Sequence, residues 1–251
     1  RGAAEIKHGV TIIAVGGTER PTDKHGHGAN PRVVTQRELE AQLAGKAKGA
    51  VEQLGKTPTI VMLQCVNSRT TEHPYCSRVC CSEAVKNALA LKAKFPGARI
   101  FVLGKDIRTY GFRELFFQKA RAAGIIFIRY PKDKEPEGIA GVSPGSAPEV
   151  KVTDGGTRRT LTLKPDLLVL STGIAPAADN PVISELVRTS LTTDGFFLEA
   201  HPKLRPVDLA TEGLFICGLS HSPRFIDETI AQARAAAARA ATVLSKQHLE
   251  I

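Results

Sequence analysis

Short apolar runs alternate with segments of helical periodicity between positions 57 and 130. The runs are Thr59–Leu63, Arg99–Leu103 and Ile125–Tyr130, and the helical segments between them are Ser82–Lys94 and Phe112–Ala123. Short runs of aliphatic and β-branched residues bounded by turn residues are typical of strands that are buried on both faces of a parallel sheet. The alternation, with its short connections, therefore predicts an α/β domain built on a doubly wound parallel sheet.

A strand and a helix are also expected before this unit. Val10–Val15 is a β-branched run that ends in two glycines, as a buried parallel strand does at its carboxyl end. Residues 35–52 have helical spacing, and Thr35 is a plausible N-cap because Glu38 follows three residues later, at the spacing of a capping box.

The second half of the chain adds a hairpin, two further strands and a long helix. The expected elements are an exposed loop over 131–148, hairpin strands Glu149–Thr153 and Arg158–Leu163, a buried strand Asp166–Leu170, a short strand Leu214–Cys217 and a helix Ile226–Leu244. Alternation of polar and apolar residues on both sides of an Asp-Gly-Gly turn indicates the hairpin.

The composition fits a globular protein without a membrane span. Of the 251 residues, 42% are hydrophobic and 24% are charged, and no apolar run reaches the length of a transmembrane helix. We expect a cytoplasmic protein, because no signal peptide opens the sequence. The chain starts at Arg1 with a strand-like run close behind, which indicates part of a longer polypeptide.

The net charge of +9 raises the question of a polyanionic partner. Lysine and arginine are scattered along the chain, tryptophan is absent and aromatic residues make up 5% of the sequence. A nucleic-acid-binding domain usually concentrates its basic residues on one face or stripe. We therefore expect no nucleic-acid partner.

Four of the five cysteines fall within one short segment, at Cys65, Cys76, Cys80 and Cys81. In a cytoplasmic chain such clustering indicates metal or redox chemistry rather than structural disulfides. Thiolates bind iron–sulfur clusters, zinc or copper(I). Two adjacent ligands are awkward around one zinc ion, whereas a cubane cluster can accept neighbouring thiolates on different irons. We favour an iron–sulfur cluster; zinc, a disulfide, or cysteines that are only buried remain alternatives. Cys217 ends an apolar run and is expected in the core.

The cysteine segment occupies the position at which a dinucleotide-binding domain carries its glycine-rich phosphate turn. Cys65 directly follows the strand Thr59–Leu63 and Gln64, and the segment 64–69 contains no glycine. Without glycine the backbone cannot closely approach a pyrophosphate, so a nicotinamide cofactor is disfavoured here. Cys80 and Cys81 lie at the start of the helix expected from Ser82, where the helix dipole favours thiolates.

Four sequence motifs resemble one known family. They are QCVNSR at 64–69, YCSRVCC at 75–81, DIRTYG at 106–111 and GFFLEAHPKLRPV at 195–207. Together they resemble the A-subunit family of heterodisulfide reductase, and the similarity extends over essentially the whole chain. The resemblance implies a thioredoxin-reductase-like α/β fold, in which a discontinuous FAD domain carries an inserted doubly wound α/β domain.

The resemblance also implies where the domains and cofactors lie. Residues 1–55 and 176–251 would be FAD-domain segments, and residues 56–175 would be the inserted dinucleotide-type domain with a [4Fe–4S] cluster on the four clustered cysteines. The residues implied to contact the flavin are Gly16, Gly17, Gly218, Leu219, Ser220, Pro223 and Ile226. His201 and Lys203 either contact the flavin or hold their loop. The glycine-rich FAD turn and the ferredoxin-like cysteine motifs of full-length members are absent from this sequence.

These implications point to an electron-transfer function. We expect a flavin and iron–sulfur module that passes electrons between FAD and the cluster. Its expected partners are other redox subunits of a complex, including iron–sulfur proteins. Electron bifurcation is one expected use of such a module. No side chain is expected to act as a catalytic acid or base, because the chemistry belongs to the cofactors. The alternatives are a non-catalytic scaffold subunit with a zinc or degenerate cysteine site, and an NAD(P)H-dependent thiol reductase, whose glycine-rich loop and Cys-x-x-Cys motif are both missing.

Overall fold

A computed structural model describes residues 5–139 and 146–246 of the chain. The expected loop over 131–148 therefore lies partly outside the described residues. Contacts between Cα atoms divide the chain into two compact units. Unit 1 comprises Arg1–Thr18 and Ile174–Ile251, and unit 2 comprises Glu19–Gly173.

The strands of the described residues are numbered in chain order. They are β1 Thr11–Ile13, β2 Gly17–Glu19, β3 Val33–Thr35, β4 Thr59–Leu63, β5 Arg99–Gly104, β6 Ile126–Arg129, β7 Glu137–Ile139, β8 Glu149–Thr153, β9 Thr160–Leu163, β10 Leu167–Leu170, β11 Ile174–Pro176 and β12 Leu214–Ile216. The α-helices are α1 Gln36–Leu43, α2 Cys80–Lys94, α3 Glu114–Ala122, α4 Asn180–Leu186 and α5 Ile226–Leu244. Within the described ranges, none of these helices combines the length and apolar character that crossing a membrane requires.

Unit 2 is built on a five-stranded sheet in the order β3-β10-β4-β5-β6, and all four pairings are parallel. The α/β class and the parallel sheet expected from the alternating runs are confirmed. The bounds of β4 and of the long helix α5 agree with the sequence prediction, because both segments have unbroken patterns with clear end signals.

The two faces of the unit 2 sheet are covered by different elements. Every residue of β4 and β10 is buried, so side chains of alternating direction enter two separate cores. On one face Ile60 and Met62 pack in a core with Leu91 of α2. On the other face Val61 and Leu63 share a core with residues of the β8–β9 hairpin. Burial on both faces explains why the strands read as continuous apolar runs.

Helix α1 begins with the capping box that the sequence predicts. The Thr35 hydroxyl accepts the N–H of Glu38, and the Glu38 carboxylate accepts the N–H of Thr35 at 2.7 Å. The helix ends at Leu43, earlier than expected, because Gly45 adopts a left-handed conformation with φ +69°. A separate 3₁₀ turn over Ala50–Gln53 lies at the end of the expected helix.

The division between the units differs from the expected one. Residues 1–55 are expected from the resemblance to form an FAD-domain segment, whereas the structure groups residues 19–55 with unit 2. The physical reason is strand β3, which pairs with β10 through Val33, Val34 and Thr35. Val33 and Val34 form an apolar run of two residues, which is too short to stand out as a strand in the sequence.

Unit 1 contains a short parallel pair, β1 and β12, and two helices, α4 and α5. Its core includes Ile13, Phe197, Leu209 and Ile216. The expected strand over 10–15 is shorter than predicted, and Val15 is exposed. Helix α4 was not predicted, because seven residues beginning at an Asn-Pro pair give too little periodicity.

Candidate functional site

The cysteine segment lies at the point where the strand order of unit 2 reverses. From β4 the chain proceeds to β5 and β6 on one side, and it returns to β10 on the other side of β4. In open α/β sheets, ligands bind outside the carboxyl ends of the strands at such a switch point. Cys65 follows β4, Ser171 follows β10, and the N–H of Val66 donates to the Ser171 carbonyl at 3.0 Å.

The backbone after β4 adopts an unusual conformation. Cys65, Asn67 and Arg69 have positive φ angles of 64°, 55° and 58°, while the intervening Val66 and Ser68 are buried. Left-handed conformations of residues other than glycine cost free energy and persist only where the surrounding structure imposes them. Arg69 contacts the Cys65 sulfur, while Val66 and Ser68 are packed away from solvent.

Gly173 makes room for both halves of the cysteine segment. It has φ +84°, and a Cβ atom at this position would lie 2.7 Å from the Ser77 hydroxyl and 3.2 Å from the Ser68 hydroxyl. Any larger residue would therefore displace the loop that carries Cys65 or the loop that carries Cys76. The turn after β10 is thus shaped to accept the cysteine segment.

The four clustered thiols interact electrostatically with one another. All are free, and Cys80 and Cys81 form the first residues of α2. Burial raises the pKa of Cys80 well above its usual range and the pKa of Cys81 to about 11. Negative charge on Cys65 or Cys76 raises the pKa of both Cys80 and Cys81 further. The sheet and α2 therefore bring the four predicted ligands into one neighbourhood.

The structure does not bring these thiols together as a site for a single ion. Among residues 5–139 and 146–246, no three His, Cys, Asp or Glu side chains converge closely enough to hold one metal ion. A zinc ion would need its sulfur ligands at about 2.3 Å from one atom. A cubane distributes its thiolates over four irons and tolerates a wider arrangement.

Several polar groups beside the cysteines lack a partner in the described part of the chain. They are the two amide atoms of Gln64 and the hydroxyl groups of Ser82, Ser171 and Thr172, all of them buried. Buried polar groups in native proteins are almost always hydrogen-bonded. Amide and hydroxyl donors are groups that hydrogen-bond to cluster sulfur. The donor set and its surroundings therefore fit a [4Fe–4S] group on the four cysteines.

Arg69 places a positive charge beside Cys65. Its Nη1 atom lies 4.0 Å from the Cys65 sulfur, and its Nη2 atom donates to Asp106 at 3.1 Å. Burial raises the pKa of the Cys65 thiol, and the guanidinium of Arg69 opposes that rise. Burial would also raise the pKa of Asp106, but hydrogen bonds from Arg69 and Arg108 hold it below its usual range. The backbone N–H of Arg78 donates to the Cys76 sulfur at 3.3 Å.

Roles for Arg69 and Asp106 were not predicted from the sequence. Both belong to motifs that were quoted for the resemblance, QCVNSR and DIRTYG. Their pairing across 37 positions joins the loop after β4 to the loop after β5. The signal that could have indicated it is the adjacency of β4 and β5, whose carboxyl-end loops must meet.

Unit 1 places several of the expected flavin residues in one turn after β12. Gly218 has φ +74°, and Ser220 donates to the carbonyl groups of Ile13 and Cys217 at 3.2 Å and 2.7 Å. A Cβ atom at Gly17 would lie 2.9 Å from the carbonyl oxygen of Ala175. Gly17 and Gly218 therefore occupy positions where the backbone requires glycine.

The remaining expected residues of unit 1 differ in exposure. Gly16 adopts φ +82° with open space around it, and Leu219 packs near Gly17. Pro223 is buried and Ile226 is 80% exposed at the start of α5.

His201 organises its own loop. Its Nδ1 atom accepts the backbone N–H groups of Lys203 at 3.2 Å and Leu204 at 3.1 Å. Both His201 and Lys203 are exposed. These contacts support the loop-holding role that the sequence analysis left open beside flavin contact.

A hydrogen-bonded chain beside Gly218 was not predicted from the sequence. The N–H of Gly218 donates to Oε1 of Gln232 at 2.7 Å, and Nε2 of Gln232 donates to Nδ1 of His221 at 2.8 Å. Arg224 also contacts Nδ1 at 2.8 Å, so that nitrogen is an acceptor and the ring proton sits on Nε2, which lies 3.5 Å from Glu199. Burial lowers the pKa of His221, Glu199 raises it and Arg224 lowers it.

Known structures share this fold at low sequence identity. Thioredoxin reductase from Lactococcus lactis matches 94% of the chain with a TM-score of 0.57 and 19% identity, and the chain covers 67% of that protein. L-lysine 6-monooxygenase from Pseudomonas syringae matches 93% of the chain with a TM-score of 0.57 and 15% identity, and 63% of that protein is covered. The chain thus has a thioredoxin-reductase-like fold.

Sequence comparison finds relatives at higher identity than the structural neighbours, although no known family profile matches the chain. An iron–sulfur A subunit of CoB–CoM heterodisulfide reductase from Methanopyrus kandleri is 38% identical over 96% of the chain. The A subunit of an H₂:CoB–CoM heterodisulfide,ferredoxin reductase from Methanothermobacter thermautotrophicus is 35% identical over 98% of the chain. The chain spans 38% of the length of each of these two relatives. It belongs to the A-subunit family of heterodisulfide reductase.

Proposed function

We propose that the chain is an electron-transfer module in which unit 1 contributes to an FAD site and unit 2 holds a [4Fe–4S] cluster on Cys65, Cys76, Cys80 and Cys81. The observation that carries the proposal is the position of the four interacting thiols at the switch point of the unit 2 sheet. That position is where α/β folds bind their ligands, and here the loop supplies thiols instead of glycines. The name of the Methanopyrus relative, an iron–sulfur subunit, supports the same assignment.

The chain's own residues would bind and position these groups rather than transfer protons. When bound, the flavin would exchange two electrons and the cluster one electron at a time. The thiols supply the ligands, and Arg69 and the N–H of Arg78 supply donors to the sulfur atoms of Cys65 and Cys76. In unit 1, Gly218 and its partner Gln232 would shape the turn against the flavin.

The partners proposed for the module are other redox subunits, including iron–sulfur proteins. The Methanothermobacter relative is named for both a heterodisulfide and ferredoxin as acceptors. A flavin that divides an electron pair between two acceptors is the basis of electron bifurcation, and we propose that the module serves such a complex.

Replacing Cys80 with serine tests the proposal. Anaerobically prepared protein should contain four irons and four sulfides per chain by this proposal, and Cys80→Ser should lose most of both while keeping its far-ultraviolet circular dichroism. Cys217→Ser, a change of the same kind in unit 1, is the matched control and should retain the iron. Equal iron content in the two variants would contradict the ligand assignment.

The same samples distinguish the electron-transfer module from the second candidate function, a non-catalytic scaffold subunit. A colourless protein with one zinc per chain, or with no metal, would support the non-catalytic scaffold subunit. Flavin absorption bands together with a broad thiolate-to-iron charge-transfer band at about 400 nm would support the electron-transfer module.

A further inference from the structure

An apolar stripe follows the outer face of α3 and of the short 3₁₀ turn that precedes it in unit 2. Phe112 is 89% exposed, Leu115 is 61% exposed and Phe116 is 59% exposed. Their spacings of three and four residues place the three side chains on one face of a helix. The opposite face is packed, since the ring centroid of Phe117 lies 4.6 Å from that of Phe127 on β6. Helix α3 therefore carries more apolar surface than its packing on the sheet uses.

The stripe is bordered by positive charge. Arg113, Lys119 and Arg121 lie in or directly before α3, and Glu114 is the one carboxylate of the segment 111–122. The Glu114 carboxylate accepts the Thr109 hydroxyl at 3.2 Å. A contiguous group of exposed apolar side chains within a polar border is typical of a surface that binds another molecule. The border indicates that this molecule is acidic.

Both charge and size restrict what can bind the stripe. The chain has a net charge of +9, so a second copy of it would bring like charges together at this face. A protein with carboxylates around an apolar centre complements both parts of the face. Three large side chains form a small contact area, and weak electron-transfer complexes have the smallest specific interfaces, below about 1,200 Å² in total. A small acidic electron-transfer protein fits these properties.

The stripe lies beside the segment that carries the thiols. Helix α3 follows β5, so the stripe begins at the edge of the sheet where the cysteine segment also lies. Tyr110, two residues before Phe112, accepts a hydrogen bond from Nη2 of Arg78 at 2.7 Å. The backbone N–H of Arg78 donates to the Cys76 sulfur at 3.3 Å. A protein bound to the stripe would therefore be next to a proposed cluster ligand.

We infer that the outer face of α3, formed by Phe112, Leu115 and Phe116, docks a small acidic electron-transfer protein. The choice of a redox protein rests on the proposed function, and the inference adds the surface that such a partner contacts. An anionic membrane would be attracted by the same charges and apolar side chains. The position of the face beside Cys76 favours the redox protein, because that partner has a reason to be there.

Titration of the full chain with an oxidised bacterial ferredoxin, a small acidic iron–sulfur protein, tests the inference. Isothermal titration calorimetry at low ionic strength should show saturable binding. Leu115→Ser should raise the Kd about tenfold, because it removes an apolar side chain from the middle of the docking face. Leu186→Ser changes another exposed leucine, in α4 of unit 1, and should leave the Kd unchanged. Both side chains are exposed, so both variants should keep the circular dichroism of the parent protein.

Three results would overturn the inference. The first is the absence of ferredoxin binding by the parent chain, and the second is equal weakening by Leu115→Ser and Leu186→Ser. The third is sedimentation with phosphatidylglycerol vesicles that Leu115→Ser abolishes, which would assign the face to a membrane.

The proposed cluster is decided separately, by iron and sulfide assays of the same samples. Binding of oxidised ferredoxin requires no electron transfer, so it does not depend on a working cluster. Iron-free protein that binds ferredoxin through Leu115 supports the docking face and contradicts the cluster. Iron-loaded protein that does not bind ferredoxin contradicts the docking face alone.

Discussion

Arg69 connects the thiol cluster to the rest of unit 2 at the scale of a single residue. Its guanidinium contacts both the Cys65 sulfur and the Asp106 carboxylate, while its backbone is held in a left-handed conformation. The carboxylate keeps the guanidinium in place, and its positive charge would face the proposed cluster, which becomes more negative on reduction. Net charge and hydrogen bonds to sulfur are among the main determinants of a cluster's reduction potential.

Replacing Arg69 with glutamine should therefore lower the reduction potential of the proposed cluster. We expect a decrease of about 30–60 mV, which corresponds to roughly 1 kcal/mol for one electron. A redox titration followed by electron paramagnetic resonance measures it. Lys119→Gln, which removes an exposed lysine of α3, is the control for the loss of one positive charge. A potential that does not change in Arg69→Gln would argue against this role.

His221 makes the stability of the protein depend on pH. Burial lowers its pKa below the ordinary value of 6.5, so the unfolded chain takes up a proton more readily than the folded chain as the pH falls. The free energy of unfolding should therefore decrease as the pH drops below about 6.5. In His221→Asn, whose amide oxygen can replace Nδ1 as acceptor, this part of the decrease should disappear.

Urea unfolding between pH 7.5 and pH 5 measures the effect of His221. His201→Asn removes an exposed imidazole from unit 1 and is the matched control, which should keep the pH dependence of the parent protein. The prediction fails when both variants show the same pH profile.

At the scale of elements, local signals decided what could be predicted. The capping box at Thr35, the fully apolar β4 and the alanine-rich α5 were found because each carries a complete pattern in consecutive residues. Strand β3 and helix α4 were missed because their few residues are organised by tertiary pairing. The thiol site was proposed from residue type and spacing and stays a prediction, whereas the Arg69–Asp106 pair depends on the adjacency of two strands.

The cap of α1 can be tested directly. Thr35→Ala removes the acceptor for the Glu38 N–H and the hydroxyl that donates to Glu19 at 3.1 Å. The free energy of unfolding should fall by about 1 kcal/mol, the usual cost of losing an N-cap. Thr35→Ser keeps the hydroxyl and should recover most of the loss in the same denaturation experiment. An alanine variant as stable as the parent protein would mean that tertiary packing alone holds α1.

At the scale of the whole molecule, the position of β3 fixes where unit 2 begins. Its pairing with β10 covers an edge that Leu168 and Leu170 would otherwise expose. A fragment of residues 19–173 should therefore unfold cooperatively in urea. A fragment of residues 56–175 lacks β3 and α1 and should be less stable or aggregate, because an uncovered apolar edge strand recruits other chains. Equal stability of the two fragments would show that β3 is dispensable.

The strand order also bears on biosynthesis. Strand β10 is the last of the five to leave the ribosome, yet it sits between β3 and β4. Until it arrives, the nascent sheet has a gap, and the turn at Gly173 that accommodates Ser68 and Ser77 does not exist. Before β10 is in place, the loops that carry the cysteines cannot adopt their final positions. Insertion of the proposed cluster should therefore follow translation of unit 2 rather than occur during it.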